Sequence, residues 1–366
     1  MYHRLQYIES RRTLADSGTL TDNINVVDPV SVLFLEMRAT NGSTSNKANF
    51  VADCLTRFEL IDGGNVLLSL TGHELAGLYW QQADVMGYQL VTEAPNTVAN
   101  LYVPIMFGRW VGDPSLALDP RKFKNLQYRL TWDLAAVRAV GATGFATGTA
   151  VLTLLAYTNE GGGAPVGFLR AKEEYSFTTA ASGVERVELP TDAPIRSLLV
   201  RVHEAGTAID SNISNVKIAA DGGKLVTFDG RMTDFVRMNP RMNRPIAYKH
   251  GLYAANGDTL SFIPKQDEIV TINPTSTDSV AAYDNDGLGQ GALTLYTAGV
   301  ADTSNRSLMA HVQGWCPFGC VLHSFGDWDD VNDWLPAQGF NSLRLELTQA
   351  DAGATVGVVV QSGYSY

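Results

Sequence analysis

Cysteine is scarce: three in 366 residues, Cys54, Cys316 and Cys320, cannot build a disulfide framework. The Cys-Pro-Phe-Gly-Cys stretch at 316–320 has no second Cys/His pair at zinc spacing. Buried free thiols and synthesis in a reducing cytoplasm are therefore expected, with a local staple between Cys316 and Cys320 as the alternative. Charge is sparse too, at 18% of residues, and its balance is acidic, with a formal net charge of −11. No basic stripe interleaved with aromatics occurs, which argues against sequence-specific nucleic-acid binding. Long apolar runs are also missing. Residues 1–10 hold no apolar core of a cleavable signal. Residues 139–159 are uncharged but broken by Gly141, Gly144 and Gly148; only 150–157 is strongly apolar, enough for a buried strand and too little to cross about 30 Å of hydrocarbon.

Catalytic spacings are absent in the same way. The six histidines, His3, His73, His203, His250, His311 and His323, form neither His-x-His nor His-x-x-x-His. A bicupin-like metal site would need ligands gathered from scattered positions. There is no Gly-x-Ser-x-Gly elbow, and Cys54 reads as a strand-core thiol. Gly287-Leu-Gly-Gln-Gly291 lacks the Lys-Ser/Thr of a phosphate loop. Asp327, Asp329, Asp330 and Asp333 crowd one connection, and Asp284-Asn-Asp-Gly287 has half the spacing of a calcium loop without its distal Glu, so both read as solvated turn carboxylates. No catalytic, cofactor-binding or metal-ligating residue is assigned, no cofactor is expected, and the chain is read as a non-enzyme.

What is present is apolar residues at 45%, 34 glycines and much Thr, Ser and Asn, the composition of many short strands joined by tight turns. The chain also repeats itself. Pro29-Val-Ser-Val-Leu-Phe-Leu-Glu-Met37 resembles Pro194-Ile-Arg-Ser-Leu-Leu-Val-Arg-Val202, and Ile61-Asp-Gly-Gly-Asn-Val-Leu67 resembles Ala220-Asp-Gly-Gly-Lys-Leu-Val226. Phe107-Gly-Arg-Trp110 resembles Phe325-Gly-Asp-Trp328, and the block from Phe123 to Thr131 resembles that from Phe340 to Thr348. Four matches in one order indicate a duplicated domain whose second copy carries a long insertion between Gly223 and Phe325.

Each copy reads as β. Leu126-Gln-Tyr-Arg-Leu-Thr-Trp132 and Leu343-Arg-Leu-Glu-Leu347 alternate apolar and polar residues, as strands with one buried face do. Asp62-Gly63, Asp221-Gly222 and Asn256-Gly257 are hairpin-turn dipeptides, the last joining 251–255 to 259–263. Short helices suggest themselves only at 71–77 and 132–140. This pattern predicts an all-β chain of two tandem eight-stranded jelly-roll barrels, with the join near Gly161-Gly-Gly-Ala-Pro165. The expected layout is an N-terminal arm over 1–28, a first jelly roll over 29–163 and a second over 164–366, with the insertion within about 237–312.

The repeated order resembles the double jelly-roll major capsid proteins of tailless icosahedral viruses, particularly bacteriophages with an internal membrane. Its parts are an Asp-Gly-Gly hairpin, Phe-Gly-x-Trp, a short Asp/Pro/Leu-rich connection (Asp327 to Pro336 in copy two), Phe-x-x-Leu-x-x-x-Leu-Thr and a closing strand such as Thr355-Val-Gly-Val-Val-Val360. The resemblance implies homotrimers with a pseudo-hexagonal outline that tile a shell, contacts to minor capsid and vertex proteins, and a place in the virion after synthesis in host cytoplasm. It implies upright barrels, an outward tower formed by the insertion, and an arm with Arg4, Arg11 and Arg12 lying inward where it could meet membrane lipid. The alternatives are a minor capsid or vertex protein, and a lectin-like host-attachment protein using Trp80, Trp110, Trp315, Trp328 and Trp334. Trp110 and Trp328, at equivalent places in the two copies, are expected to share a packing role.

Overall fold

Alternation of apolar with polar residues gives each strand an inward face, most plainly in Leu126–Asp133, where every second side chain is buried. The computed structural model describes residues 2–47, 49–83, 86, 88–135, 144–237, 243–274, 283–284, 291–295 and 305–366. The first half contains β1 (Tyr2–Thr13), β2 (Ser17–Asn23), β3 (Val30–Thr40), β4 (Leu55–Asp62), β5 (Asn65–Leu70), a two-residue β6 (Val91–Thr92), β7 (Val98–Met106), β8 (Leu126–Asp133) and β9 (Val151–Glu160). Its sheets run β1-β9-β3-β7 and β2-β8-β4-β5. The second half begins with β10 (Gly167–Thr178), β11 (Gly183–Glu188), β12 (Ile195–His203), β13 (Ile213–Ala220) and β14 (Leu225–Arg231). The inserted strands β15 to β20 follow, then β21 (Cys320–Ser324), β22 (Leu343–Gln349) and β23 (Thr355–Ser365). Its strands run β10-β23-β12-β21 and β11-β22-β13-β14, the order of the first half element for element. This is the jelly-roll arrangement twice over. A short parallel contact, Ala171 to Leu68 and Lys172 to Ser69, joins one sheet of each half into a continuous eight-stranded sheet.

The four sequence look-alikes fall on equivalent places: β3 and β12, the β4–β5 and β13–β14 turns, the segments after β7 and β21, and β8 and β22. Both Asp-Gly-Gly turns use the positive φ that glycine tolerates, 60° at Gly63 and 68° at Gly222.

The arm expected over 1–28 is instead structural. β1 pairs with β9 from Tyr2–Glu160 to Thr13–Val151, and β2 pairs with β8. β1 lies at a sheet edge and most of its side chains are exposed, so it lacks the alternation that marks a half-buried strand.

The helix expected at 71–77 is α2 (Gly72–Ala83), preceded by the single turn α1 (Val51–Cys54); two more short helices, α3 (Ile209–Asn212) and α4 (Met232–Arg237), lie in the second half. Cys54 thus sits in a helical turn, fully buried, and not in a strand. The helix expected at 132–140 begins inside β8, and 136–140 lie outside the described residues. At the start of α2, Glu74 accepts a hydrogen bond from Thr71 N–H at 2.9 Å and donates its own N–H to Thr71 Oγ1 at 3.3 Å, a reciprocal cap. Residues 72–81 of α2 are buried all round, as in a core helix. The main apolar cluster gathers α2 residues Leu75, Leu78 and Trp80 with Phe168, Leu199, Leu322 and Val359 of the second half. A separate cluster fills the second half itself.

Gly77 is where α2 meets the second half most closely: a Cβ there would overlap the Cys320 side chain. Gly77→Ala is expected to cost about 1–3 kcal/mol by overpacking, despite the better helix propensity of alanine. A shift in the urea midpoint checks it; an unchanged or raised midpoint would show that the seam has slack.

The insertion has its own small core around Leu252, Phe262, Leu293 and Val312. β15 (Ile246–Ala254), β17 (Pro264–Pro274) and β20 (Arg306–Pro317) form one sheet, and β16 (Thr259–Ser261), β18 (Tyr283–Asp284) and β19 (Ala292–Leu295) another. Parallel pairing of His250 with Val91 docks β15 on β6 of the first half. Asn256-Gly257 does make a turn, with φ 85° at Gly257, but its flanking strands pair elsewhere, β15 with β20 and β16 with β19. It is therefore not a hairpin: strand partners are chosen by the facing apolar surfaces, which a local turn signal does not encode.

Candidate assembly surface and the seam between the halves

Residues from both halves meet in a buried ionic network. Arg201 of β12 donates from Nε to Glu74 Oε1 of α2 at 3.2 Å, and its Nη2 lies 4.0 Å from Glu173 Oε1 of β10. Glu173 also pairs with Arg57 of β4. Glu74 is fully buried, and desolvation raises its pKa against the pull of Arg201. A second tie lies beyond β7 and β21. Arg196, 1% exposed, stacks 3.8 Å over the Trp328 ring and donates to the Trp328 carbonyl, while burial lowers its pKa to about 9. Arg109 holds Asp113 with two hydrogen bonds of 2.7 and 3.0 Å and reaches the Asp329 carbonyl at 3.1 Å.

The sequence candidates scatter accordingly. Trp80 and Trp334 are buried at 2% and 3% exposure, whereas Trp110 is 43% exposed. Trp110 and Trp328 do not share one role: Trp328 packs on a buried arginine, whereas Trp110 is exposed, with Arg109 4.3 Å over its ring. The Asp327–Asp333 carboxylates serve turns, with Asp327 accepting Asp329 N–H and Asp330 accepting Asn332 N–H. Both glycine-rich readings near 284–291 lie largely outside the described residues. Cys316 and Cys320 are free and buried, flanking a tight turn. His3 and His311 are exposed. His250 is buried with its Nε2 3.5 Å from Glu93 Oε1; burial lowers the histidine pKa to about 3 and raises that of Glu93 to about 8. The structure does bring His73 and His203 together with Asp53, a grouping that no local spacing announces.

Outward, Tyr2, Leu5 and Tyr7 on edge strand β1 are 58–65% exposed. An unpaired strand edge carrying large apolar side chains is a surface suited to another protein face. Two of the three arm cations are engaged within the chain: Arg4 with Asp28 and Glu160, Arg12 with Glu9 and Asp22.

No protein-family model matches the chain, and no curated protein matches it in sequence. Among solved structures, the STIV MCP superposes with a TM-score of 0.59 at 11% identity, covering 100% of this chain and 97% of that one. PBCV-1 VP54 gives 0.58 at 11% identity, covering 99% and 94%. The major capsid protein from Bacteriophage PM2 gives 0.53 at 12% identity, covering 100% and 98%. Full-length agreement at such identities shows the fold, a double jelly roll.

Proposed function

We propose that the chain is a structural major capsid protein, acting in the virion without catalysis, that forms pseudo-hexagonal homotrimers tiling an icosahedral shell. One observation carries this reading: two jelly rolls of identical strand order, with an insertion in only one, align over the full length of several viral capsid proteins. Three chains of two jelly rolls supply six similar units, which suits a hexagonal tile. The buried ties at the seam hold the two units as one rigid part, which a lattice needs. The exposed edge of β1 is a natural contact between chains. In domain terms the first jelly roll then spans about 2–160 and the second 167–365, with the insertion from Ile246 to Pro317 as the projecting tower.

A lipid role for the N-terminal segment is weakened by the ion pairs of Arg4 and Arg12. A minor capsid or vertex protein remains the second reading on this same fold. A lectin-like attachment role is less favoured, since Trp80, Trp328 and Trp334 are turned inward.

The purified protein is expected to sediment near three times 39.6 kDa and to show hexagonal outlines in negative-stain averages. A monomer or dimer that never assembles on concentration and binds glycans would replace the capsid reading by the attachment one.

A further inference from the structure

Three side chains with metal-ligand chemistry converge on the seam from separate elements. Asp53 lies in α1, His73 near the start of α2 and His203 at the end of β12, and one ligand atom from each lies within 4.8 Å of the others. We propose that Asp53, His73 and His203 form a zinc site that staples the first half of the chain to the second. The proposal does not rest on the capsid reading.

The donor set suits zinc: two imidazoles and a carboxylate fill three positions of a tetrahedron and leave the fourth to water. The three groups are also held ready. Asp53 Oδ2 accepts the Phe50 N–H at 2.6 Å, which fixes the carboxylate and directs Oδ1 to His73 Nε2, also at 2.6 Å. The His73 ring stacks on Phe318 at 4.6 Å, with the His203 ring 4.6 Å away on another side. His203 Nδ1 is buried and, among the described residues, has no hydrogen-bond partner. A buried imidazole nitrogen without a partner is a lone pair suited to binding a metal ion.

Zinc would enter between His73 Nε2 and Asp53 Oδ1. In that arrangement the neutral His73 ring carries its proton on Nδ1, and the two ligand atoms lie about 3.3 Å apart, as bonds of about 2.0–2.2 Å at a tetrahedral angle require. The opposing charges are Lys265, 4% exposed, whose field acts on both Asp53 and His203, and Arg201, whose field acts on His203 and which is itself paired with Glu74.

The test is a titration of chelator-treated protein with zinc chloride, read by calorimetry and thermal melting, and repeated with cobalt for its visible absorption. One zinc per chain, a rise in Tm of about 4 °C or more at saturating metal, and a cobalt band of tetrahedral intensity are expected. His203→Gln and Asp53→Asn should each weaken binding at least about tenfold, with metal-free melts showing that they fold. His311→Ala, at an exposed histidine outside the cluster, should bind as the parent does. No stoichiometric zinc in the parent, undiminished binding in both cluster variants, or loss in His311→Ala would each overturn the site.

Discussion

Replacing Arg201 by alanine should destabilise the protein by about 3–5 kcal/mol, the cost of leaving a buried carboxylate without its partner. Arg201 is 7% exposed and Glu74 fully buried, so water cannot replace the lost guanidinium. The attraction across their 3.2 Å contact offsets a desolvation cost that Glu74 would then bear alone. Glu74 has little freedom to move away, because its other oxygen caps α2 through Thr71. Glu173 would lose a second cation at the same time and keep Arg57. The reverse repair follows from the same reasoning: Arg201→Met together with Glu74→Gln removes both charges and retains the Thr71 cap. That double variant should regain most of the loss. Urea unfolding followed by tryptophan fluorescence measures both. A cost below about 1 kcal/mol for Arg201→Ala would mean that the network is solvated and does not tie the halves.

The second large effect is a pH dependence set where the insertion docks on the first half. The folded Glu93 pKa, about 8, lies above its ordinary 4.5, and the folded His250 pKa, about 3, lies below its ordinary 6.5; burial is the leading cause in both. For Glu93 the raised value means that its contribution is complete below 4.5 and is lost as pH rises through about 8. For His250 the lowered value means a contribution complete above 6.5 and lost as pH falls through about 3. Between 4.5 and 6.5 the two slopes cancel, so this pair yields a plateau. Stability should fall on either side of it by about 1.4 kcal/mol per pH unit. Glu93→Gln keeps an acceptor for the Tyr253 N–H and abolishes the alkaline limb. Measured from pH 4.5 to 8, the variant should gain on the parent by about 5 kcal/mol. Chemical unfolding at half-unit pH intervals gives both curves; parallel curves would show that Glu93 is ionised at neutral pH.

The fold was legible wherever a strand had one wet and one dry face. Leu126–Asp133 and Leu343–Gln349 advertise themselves by alternation, and the duplicated Asp-Gly-Gly turns give the register between copies. β1 was hidden because an edge strand with exposed faces carries Arg, Gln and Ser where a buried one would carry apolar residues. α2 was visible only in its first turn, since a helix buried on every side has no amphipathic period to detect. Partner choice was illegible around Asn256-Gly257, where the turn is real but the hairpin is not. The Asp53–His73–His203 grouping could not be seen at all. Its members come from different elements of both halves, and the packing of α1 on α2 and of α2 against β12 brings them together. The buried Glu74 and Arg201 were missed for the same reason, because each looks like an ordinary surface charge until its surroundings are known.

The pairing of β1 with β9, and of β10 with β23, has a consequence for synthesis. Each half opens with a strand whose partner is its own closing strand, so neither can finish folding while it is being made. At about 5–20 residues per second, β1 waits roughly 7–30 s for Val151–Glu160 to be made. Through that interval the apolar side chains of Tyr2, Leu5 and Tyr7 stand beside an open strand edge on every nascent chain. Neighbouring ribosomes on one message hold such edges close together. Yield should therefore depend on how fast chains are started, and slower initiation should favour soluble protein over aggregate.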